Sequence, residues 1–513
     1  MKHFTRRQFL ASSALPLAAA PPKRPNILFI MVDEMRWDAL GVENHPVVKT
    51  PNLDKLASQS VRFTNAYTVS PVCCPARASV FTGRYAHVHG VTTNGVPANN
   101  GEIFLPSILK HYGYHTAISG KLHYTPARFD YGFDQFWSFA SEGPTPEFGY
   151  QAFLKKKHGS PAKWARVDGT CPWPEDPLGH DVGLFKYPEE DFETDWITAR
   201  SVEYLRSRKS ANQPWFLFTS YLKPHSPSVE PQPYFDMYDP SQMPIPPLPP
   251  NAKAIRAAKV GQAKRHYVDN EEMMRVMSAK YFGAITHVDF HVGKLLAELD
   301  TLGFADNTIV LFTADHGNML GDHGRWFKGV QYEGSSHVPL LWRGLGQSAG
   351  RAGKIVPKVI ENTDLAPTLL EASGLPIPEG MQGKSFVKLA RGNDPKWKDC
   401  CFSQLNAGMM VRDGYKLIDN SLDGTGPWEL YNLSGDRKEQ NNLIDNNEQQ
   451  VRVKSLKREL AGYRAAHPPP VKIAGMKMPA YASITDEERA NAVRNAPGED
   501  APAGNEPQLK RKK

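Results

Sequence analysis

The residues best equipped for chemistry lie in the stretch Ser70-Pro-Val-Cys-Cys-Pro-Ala-Arg-Ala-Ser-Val-Phe-Thr-Gly-Arg84. Cys73 offers a nucleophile-capable thiol. The rigid Pro75 follows two places on, and the cation Arg77 two places further. An apolar run then leads to a second cation, Arg84. A thiol and a guanidinium at fixed spacing around a proline can present a nucleophile to an anion. A five-residue pattern with two free positions is weak alone, so its meaning depends on what the rest of the chain brings to it.

The elements that must position these residues can be read from the apolar runs. Asn26-Ile-Leu-Phe-Ile-Met-Val32 is continuously apolar, as expected of a strand buried on both faces of a parallel sheet, and it ends in Asp33-Glu34. A second such run, Thr308 to Thr313, leads into Ala314-Asp315-His316-Gly317. Val61 to Tyr67 reads as a strand feeding the Cys73 segment. A helix starting just after Pro75 would put Cys73 at a helix N-terminus, where partial positive charge favours an anion. His115 to Ser119 reads as a strand before the turn Gly120-Lys121-Leu122-His123, and Trp215 to Leu222 as one before Lys223-Pro-His225-Ser-Pro227. Helices are expected over Asn52–Gln59, Leu105–Tyr112 and Asp195–Arg208. Another carries Ile285, Val288, Val292, Leu295, Leu296 and Leu299 at helical spacing, with Gly303 as C-cap. This alternation predicts an α/β fold with a central, mainly parallel sheet flanked by helices, and open α/β sheets hold ligands at the carboxyl ends of their strands.

Carboxylates converging on one sheet edge need a cation or protons to offset their repulsion, and oxygen-rich sites suit Ca²⁺ or Mg²⁺. Around them stand Arg77, Lys121, His123, His225 and Lys328, all at expected element ends. A metal plus several fixed cations is what a tetrahedral anion or its monoester demands, so the constellation points to a sulfate or phosphate ester. Singly, each residue has a plainer reading. Asp33 and Asp315 could cap the helices that follow, and His123 and His225 could be ordinary partly buried histidines. Lys121 and Lys328 could be surface charges, as Lys223 is taken to be. Gly321-Asp-His-Gly324 reads as a polar turn. The joint occurrence carries the functional reading.

The bulk properties set limits. At 513 residues the chain suggests about two domains, and its net charge of +7 mildly favours anionic ligands without any nucleic-acid-binding motif. Five cysteines are too few for a disulfide scaffold, and pairing among Cys74, Cys171, Cys400 and Cys401 stays open. Thr5-Arg6-Arg7-Gln8-Phe9-Leu10 and the apolar Ala11–Ala20 read as a twin-arginine export signal over residues 1–22. The run is too short for a stable membrane anchor, which places the mature protein in a bacterial periplasm or outside the cell. The catalytic α/β domain is expected over 23–383, with a loop-rich insert over 125–194. A small C-terminal subdomain of antiparallel sheet plus helix is expected over 384–467, then an extended polar tail over 468–513.

Several motifs together carry a family resemblance. Cys73-x-Pro-x-Arg77 with Thr82-Gly83-Arg84, Arg24 to Asp33, Gly120-Lys-Leu-His123, Lys223-Pro-His-Ser-Pro227, Thr313-Ala-Asp-His-Gly317, Trp326-Phe-Lys328, Asp364 to Leu370 and Glu429 to Leu433 resemble successive motifs of the type I, formylglycine-dependent sulfatases. The resemblance implies an alkaline-phosphatase-like sandwich with a smaller C-terminal sheet. It implies that a maturing enzyme converts Cys73 to formylglycine, and that Asp33, Asp315, His316 and residue 73 hold one Ca²⁺, with ligation by Glu34 open. Arg77 and Lys121 would steady formylglycine and sulfate, Lys328 would also meet the sulfate, His123 would assist aldehyde regeneration, and His225 would protonate the leaving oxygen. Asp33-Glu34 stands where many members have paired aspartates, and Asp315-His316 where many have Asp-Asn. The Asp-His form also occurs in choline-sulfatase-like and phosphonate-monoester-hydrolase-like members. The implied activity is release of sulfate from a sulfated polysaccharide or oligosaccharide. Alternatives are a phosphonate monoester or phosphodiester hydrolase on the same site, or a non-catalytic sulfoglycan-binding protein.

Overall fold

The structure, a computed structural model, describes residues 24–139, 142–159, 182–248, 250, 270–345, 351–392 and 394–494. The expected export signal, Cys171 and the end of the expected tail lie outside the described residues.

The strands in chain order are β1 (Asn26–Asp33), β2 (Val61–Tyr67), β3 (His115–Gly120), β4 (Gln135–Ser138), β5 (Val182–Leu184), β6 (Trp215–Pro224) and β7 (Ser228–Glu230). They continue with β8 (Thr308–Ala314), β9 (His337–Arg343), β10 (Ile355–Glu361), β11 (Cys400–Gln404), β12 (Gly408–Arg412), β13 (Tyr415–Asp419) and β14 (Trp428–Asn432). Eight form one sheet in the order β10-β2-β9-β8-β1-β6-β3-β4. β1 pairs in parallel with β6 and β8, and every residue of β1, β6 and β8 is buried, which is why these segments read as unbroken apolar runs. β9 alone runs antiparallel to both neighbours, β2 and β8.

The helix Glu271–Leu302 is longer than its apolar spacing predicts. Asn270 caps its start by accepting from Met273 N at 3.1 Å, and Gly303 ends it at φ 73°. The insert over 125–194 is only partly loop. It contains β4, the helix Tyr150–His158 and β5, elements too short for a period to show in sequence.

β11 to β14 form a separate antiparallel sheet in that order. Alternation along its strands gives it two apolar faces. Cys401, Met409, Val411, Ile418 and Tyr431 pack toward Tyr67, Met319, Val330 and Tyr332, which lie N-terminal to it in the chain. Phe402, Met410, Leu417 and Leu430 pack against Val453, Leu456 and Leu460 of the helix Gln450–Ala465. On the same face, the buried Lys416 Nζ contacts Glu333 Oε1 at 2.7 Å and Glu439 Oε1 at 2.9 Å.

The segment after Pro468 is tied down. Arg84 donates to the Pro469 carbonyl at 2.8 Å and the Pro468 carbonyl at 3.0 Å, and pairs with Glu102 at 3.1 Å. Buried Tyr481 bonds Ser107 Oγ at 2.7 Å and packs on Phe104 and Tyr131. No helix among the described residues is long and apolar enough to cross a membrane.

Gly120 determines how β3 delivers the next residues to the site. It lies at φ 112° opposite Ser220 of β6, and a Cβ there would sit 1.9 Å from the Ser220 carbonyl oxygen. That carbonyl accepts from Lys121 N at 3.0 Å, so the close approach aims Lys121 and His123 inward. Gly120→Ala should therefore cost about 2 kcal/mol or more in unfolding free energy. Urea denaturation checks this, and a variant as stable as the parent would contradict the role given to Gly120.

Candidate active site

β1 and β8 lie side by side and end level with each other, placing Asp33 beside Asp315. Asp33, Glu34, Asp315 and His316 are completely buried. Glu34 takes φ 68°, a backbone conformation uncommon for a side chain of its size, and its N–H donates to Asp315 Oδ1 at 3.1 Å. His123 and Phe327 also have positive φ, at 68° and 63°. Strained backbone therefore clusters around these carboxylates, as it does at functional sites.

The helix after β2 spans Cys73–Thr82 and begins at Cys73 itself, three residues before the expected start. Pro75 is tolerated there because first-turn N–H groups lack helical partners anyway. Cys73 thus sits in the first turn, with all ten residues of the helix buried. Its Sγ lies 3.2 Å from His316 Nε2, 3.8 Å from Asp33 Oδ1 and 3.8 Å from Lys121 Nζ.

Fixed cations bind the carboxylates together. Arg77 Nε donates to Asp315 Oδ2 at 2.8 Å and its Nη2 contacts Asp33 Oδ2 at 3.3 Å. Arg77 Nη1 donates to the Lys121 carbonyl and to Ser220 Oγ, both at 2.8 Å. Lys121 Nζ meets Asp33 Oδ2 at 2.6 Å. Lys328 Nζ meets Glu34 Oε2 at 2.9 Å, and Asn318 Nδ2 donates to Glu34 Oε1 at 2.8 Å. His225 Nε2 stands 3.5 Å from Glu34 Oε2. Backbone N–H groups of Leu122 and His123 donate to Glu142, which orients the Lys121–His123 turn.

This surrounding field shifts the ionisable groups. Burial and the sulfur of Cys73 would raise the pKa of Asp33, but Lys121, His225 and Arg77 outweigh them and hold it well below the usual carboxylate range. Burial would raise the Cys73 thiol, yet Lys121, Lys328 and His316 bring it well below its ordinary value. Burial disfavours charge on His316, but Asp315 leads the groups that raise it to about 9. The other ring nitrogen of His316, Nδ1, donates to the Gly317 carbonyl at 3.0 Å, so Nε2 is the nitrogen facing Cys73, Asp33 and Asp315.

The contacts above bring Asp33, Glu34, Cys73, Arg77, Lys121, His225, Asp315, His316 and Lys328 together at this strand edge, with His123 on the turn that follows Lys121. Ligand atoms of Asp33, Cys73, Asp315 and His316 lie within 4.8 Å of one another, a set able to hold a metal ion. Glu34 falls in a different group, with Asp33 and His225, and its carboxylate is occupied by Lys328 and Asn318. Lys223 is a correction. It is no surface charge but 1% exposed, donating to the Pro227 carbonyl at 2.6 Å with Glu193 at 3.5 Å. Asp322, in the expected polar turn, anchors Arg36 at 2.8 Å. Ser220, Glu142 and Asn318 were missed, because their partners are distant in sequence and no local pattern marks them.

Lys121→Met should expose how much this ion lattice contributes. In chelator-treated protein, removing one partner of a buried pair should cost about 3 kcal/mol at neutral pH. Asp33 has a depressed folded pKa, so the stability from this pair is present above the ordinary carboxylate range and is lost as pH falls through the folded value. The difference between parent and variant in urea denaturation should shrink on acidification. A difference independent of pH would contradict the assignment.

Comparison with known proteins agrees with this geometry. The sulfatase family model matches residues 25–375, and that of the N-sulphoglucosamine sulphohydrolase C-terminal region matches 321–466. An arylsulfatase of Clostridium perfringens is 33% identical over 465 residues, covering 85% of this chain and 94% of the relative. An ulvan-active sulfatase of Formosa agariphila is 31% identical over 386 residues, covering 73% and 66%. Among solved structures, a phosphonate monoester hydrolase of Silicibacter pomeroyi superposes with a TM-score of 0.74 at 27% identity, covering 86% of this chain and 95% of that one. The fold is thus the alkaline-phosphatase-like sandwich, and the chain belongs to the sulfatase family of hydrolytic enzymes.

Proposed function

We propose that this protein releases inorganic sulfate from a sulfated polysaccharide or its oligosaccharides, using formylglycine made from Cys73. One observation carries the reading: the Cys73 sulfur sits in the first turn of a buried helix, against Asp33, His316 and Lys121. Sγ stands where the oxygens of a hydrated formylglycine would be. Such a residue supplies one hydroxyl to attack sulfur and a second that lets the aldehyde reform as sulfate leaves, so one hard displacement becomes two easier steps.

Asp33, Asp315, His316 and residue 73 would hold a Ca²⁺, which would neutralise the carboxylates and acidify the attacking hydroxyl. The donor set fits: three of the four are oxygen donors once residue 73 is oxidised, and all four are buried. Arg77, fixed by four acceptors, orients Asp33 and Asp315 and the turn carrying Lys121. Lys121 and Lys328 supply positive charge for the ester oxygens. His225 Nδ1 is committed to the Ser226 carbonyl at 2.6 Å, so its Nε2 is the nitrogen that gives a proton to the leaving alcohol. His123, on the same turn as Lys121, takes the proton when the aldehyde is restored. Glu34 serves Lys328 and His225 as a counter-charge rather than the metal as a ligand.

A glycan substrate is supported by the relative described as ulvan-active and by the insert beside the site. It agrees with export through the twin-arginine translocase and maturation by a formylglycine-generating enzyme. The second reading, phosphonate monoester hydrolysis, is favoured by Asp315-His316 and by the likeness to the Silicibacter pomeroyi enzyme. Matched aryl sulfate and aryl phosphonate esters separate the two, with strong preference for the phosphonate deciding for the second. For the glycan, sulfate release from a panel of sulfated oligosaccharides is expected. Turnover of aryl sulfates with no release from any glycan would overturn that part.

His225→Ala tests the proton donor. Its kcat should fall by about 10²–10⁴ on a sugar sulfate, whose alkoxide needs the proton, and far less on 4-nitrophenyl sulfate. Equal losses on both would remove His225 from that role.

A further inference from the structure

A second cluster of metal-ligating side chains lies apart from the residues assigned to catalysis. Asp195 is in the first turn of the helix Glu193–Ser207, and Glu189 is in the single turn just before it. His287 and His291, four residues apart on the helix Glu271–Leu302, present their rings on one face toward these acids. One ligand atom from each of Glu189, Asp195, His287 and His291 lies within 4.8 Å of the other three.

The bonding within the cluster is uneven. His287 Nδ1 is 2.9 Å from Glu230 Oε2, and its Nε2 is 3.1 Å from Asp195 Oδ2. A carboxylate behind one ring nitrogen with the other nitrogen facing the cluster is how metal-bound histidines are held. The ring lies between Tyr234 and Phe192, stacked at 4.0 and 5.5 Å between centroids, so its orientation is fixed. His291 is 1% exposed, and neither ring nitrogen makes an aligned hydrogen bond. Its Nε2 nevertheless lies 3.1 Å from Asp195 Oδ1, a close approach without hydrogen-bond direction. Lys294 Nζ reaches Asp195 at 3.7 Å from the solvent side.

We propose that Glu189, Asp195, His287 and His291 form a structural site for a zinc-class divalent ion, with Glu230 orienting His287. Two imidazoles and two carboxylates suit zinc in tetrahedral geometry and are a poor set for the Ca²⁺ of the catalytic centre. Bonds of about 2.0–2.1 Å put tetrahedral ligand atoms about 3.4 Å apart, so the 3.1 Å contacts need little adjustment. The ion would fasten the end of the insert to the long helix. It would do so behind Lys223, which contacts Glu193 at 3.5 Å and lies near the end of β6, two residues before His225. This inference does not depend on the substrate.

The test uses the full protein, stripped with chelator and titrated with ZnCl₂. The expected result is one tightly bound zinc per chain by elemental analysis after desalting, with a raised Tm. Glu189→Gln, which changes a partly exposed side chain, and His291→Ala should each lose the ion. Glu230→Gln should weaken binding about 10–100-fold. A Cys73→Ala, His316→Ala protein should keep it, which separates the site from the catalytic cluster. Co²⁺ should give tetrahedral visible bands with no thiolate charge-transfer band. The proposal is overturned if the parent binds no zinc, if Glu189→Gln and His291→Ala both bind like the parent, or if loss of Cys73 and His316 abolishes binding.

Discussion

Three carboxylates with no exposure to solvent stand at the ends of two adjacent strands, and the rest of the centre is arranged around compensating them. Isolated, such charges would protonate or unfold the site. Arg77 answers Asp33 and Asp315 together, Lys121 answers Asp33, and Lys328 answers Glu34. The lattice explains local structure that would otherwise be costly. Gly120 accepts an unusual backbone so that Lys121 can reach inward, and Glu34 takes a positive φ that brings its N–H onto Asp315. The same field lowers the pKa of Cys73. The ionisation of Cys73 and the stability of the fold are therefore linked through one set of contacts.

The sequence made the strand edge legible because its signals were local and strong. β1, β6 and β8 are fully buried, so their apolar runs end abruptly, and the polar residues at those ends are the ones that converge. The second sheet was legible for a related reason, since its strands divide their apolar residues between two faces. What stayed hidden depends on partners far along the chain. Lys223 read as a surface charge because nothing near it announces Glu193 or the Pro227 carbonyl. Ser220 is one more residue of a buried strand until Arg77 reaches it, and Asn318 matters only through Glu34. The composition after Pro468 is that of a tail, yet Arg84 and Tyr481 hold that segment against the rest of the fold.

Glu34 shows how a resemblance and a structure divide the work. Its place in the chain leaves metal ligation open. Its contacts with Lys328, Asn318 and His225 give it a different use, as a buried carboxylate that holds these three side chains in place. A substrate anion entering the site would compete with Glu34 for Lys328.

The proposed chemistry depends on conversion of Cys73 to formylglycine. Mass spectrometry of the tryptic peptide containing Cys73, from protein made and exported by its own host, tests this directly. A loss of about 18 Da on Cys73, the difference between a thiol and an aldehyde side chain, is expected. An intact thiol, in a host whose maturation machinery modifies another substrate, would contradict it and leave a protein that binds sulfated ligands without turning them over.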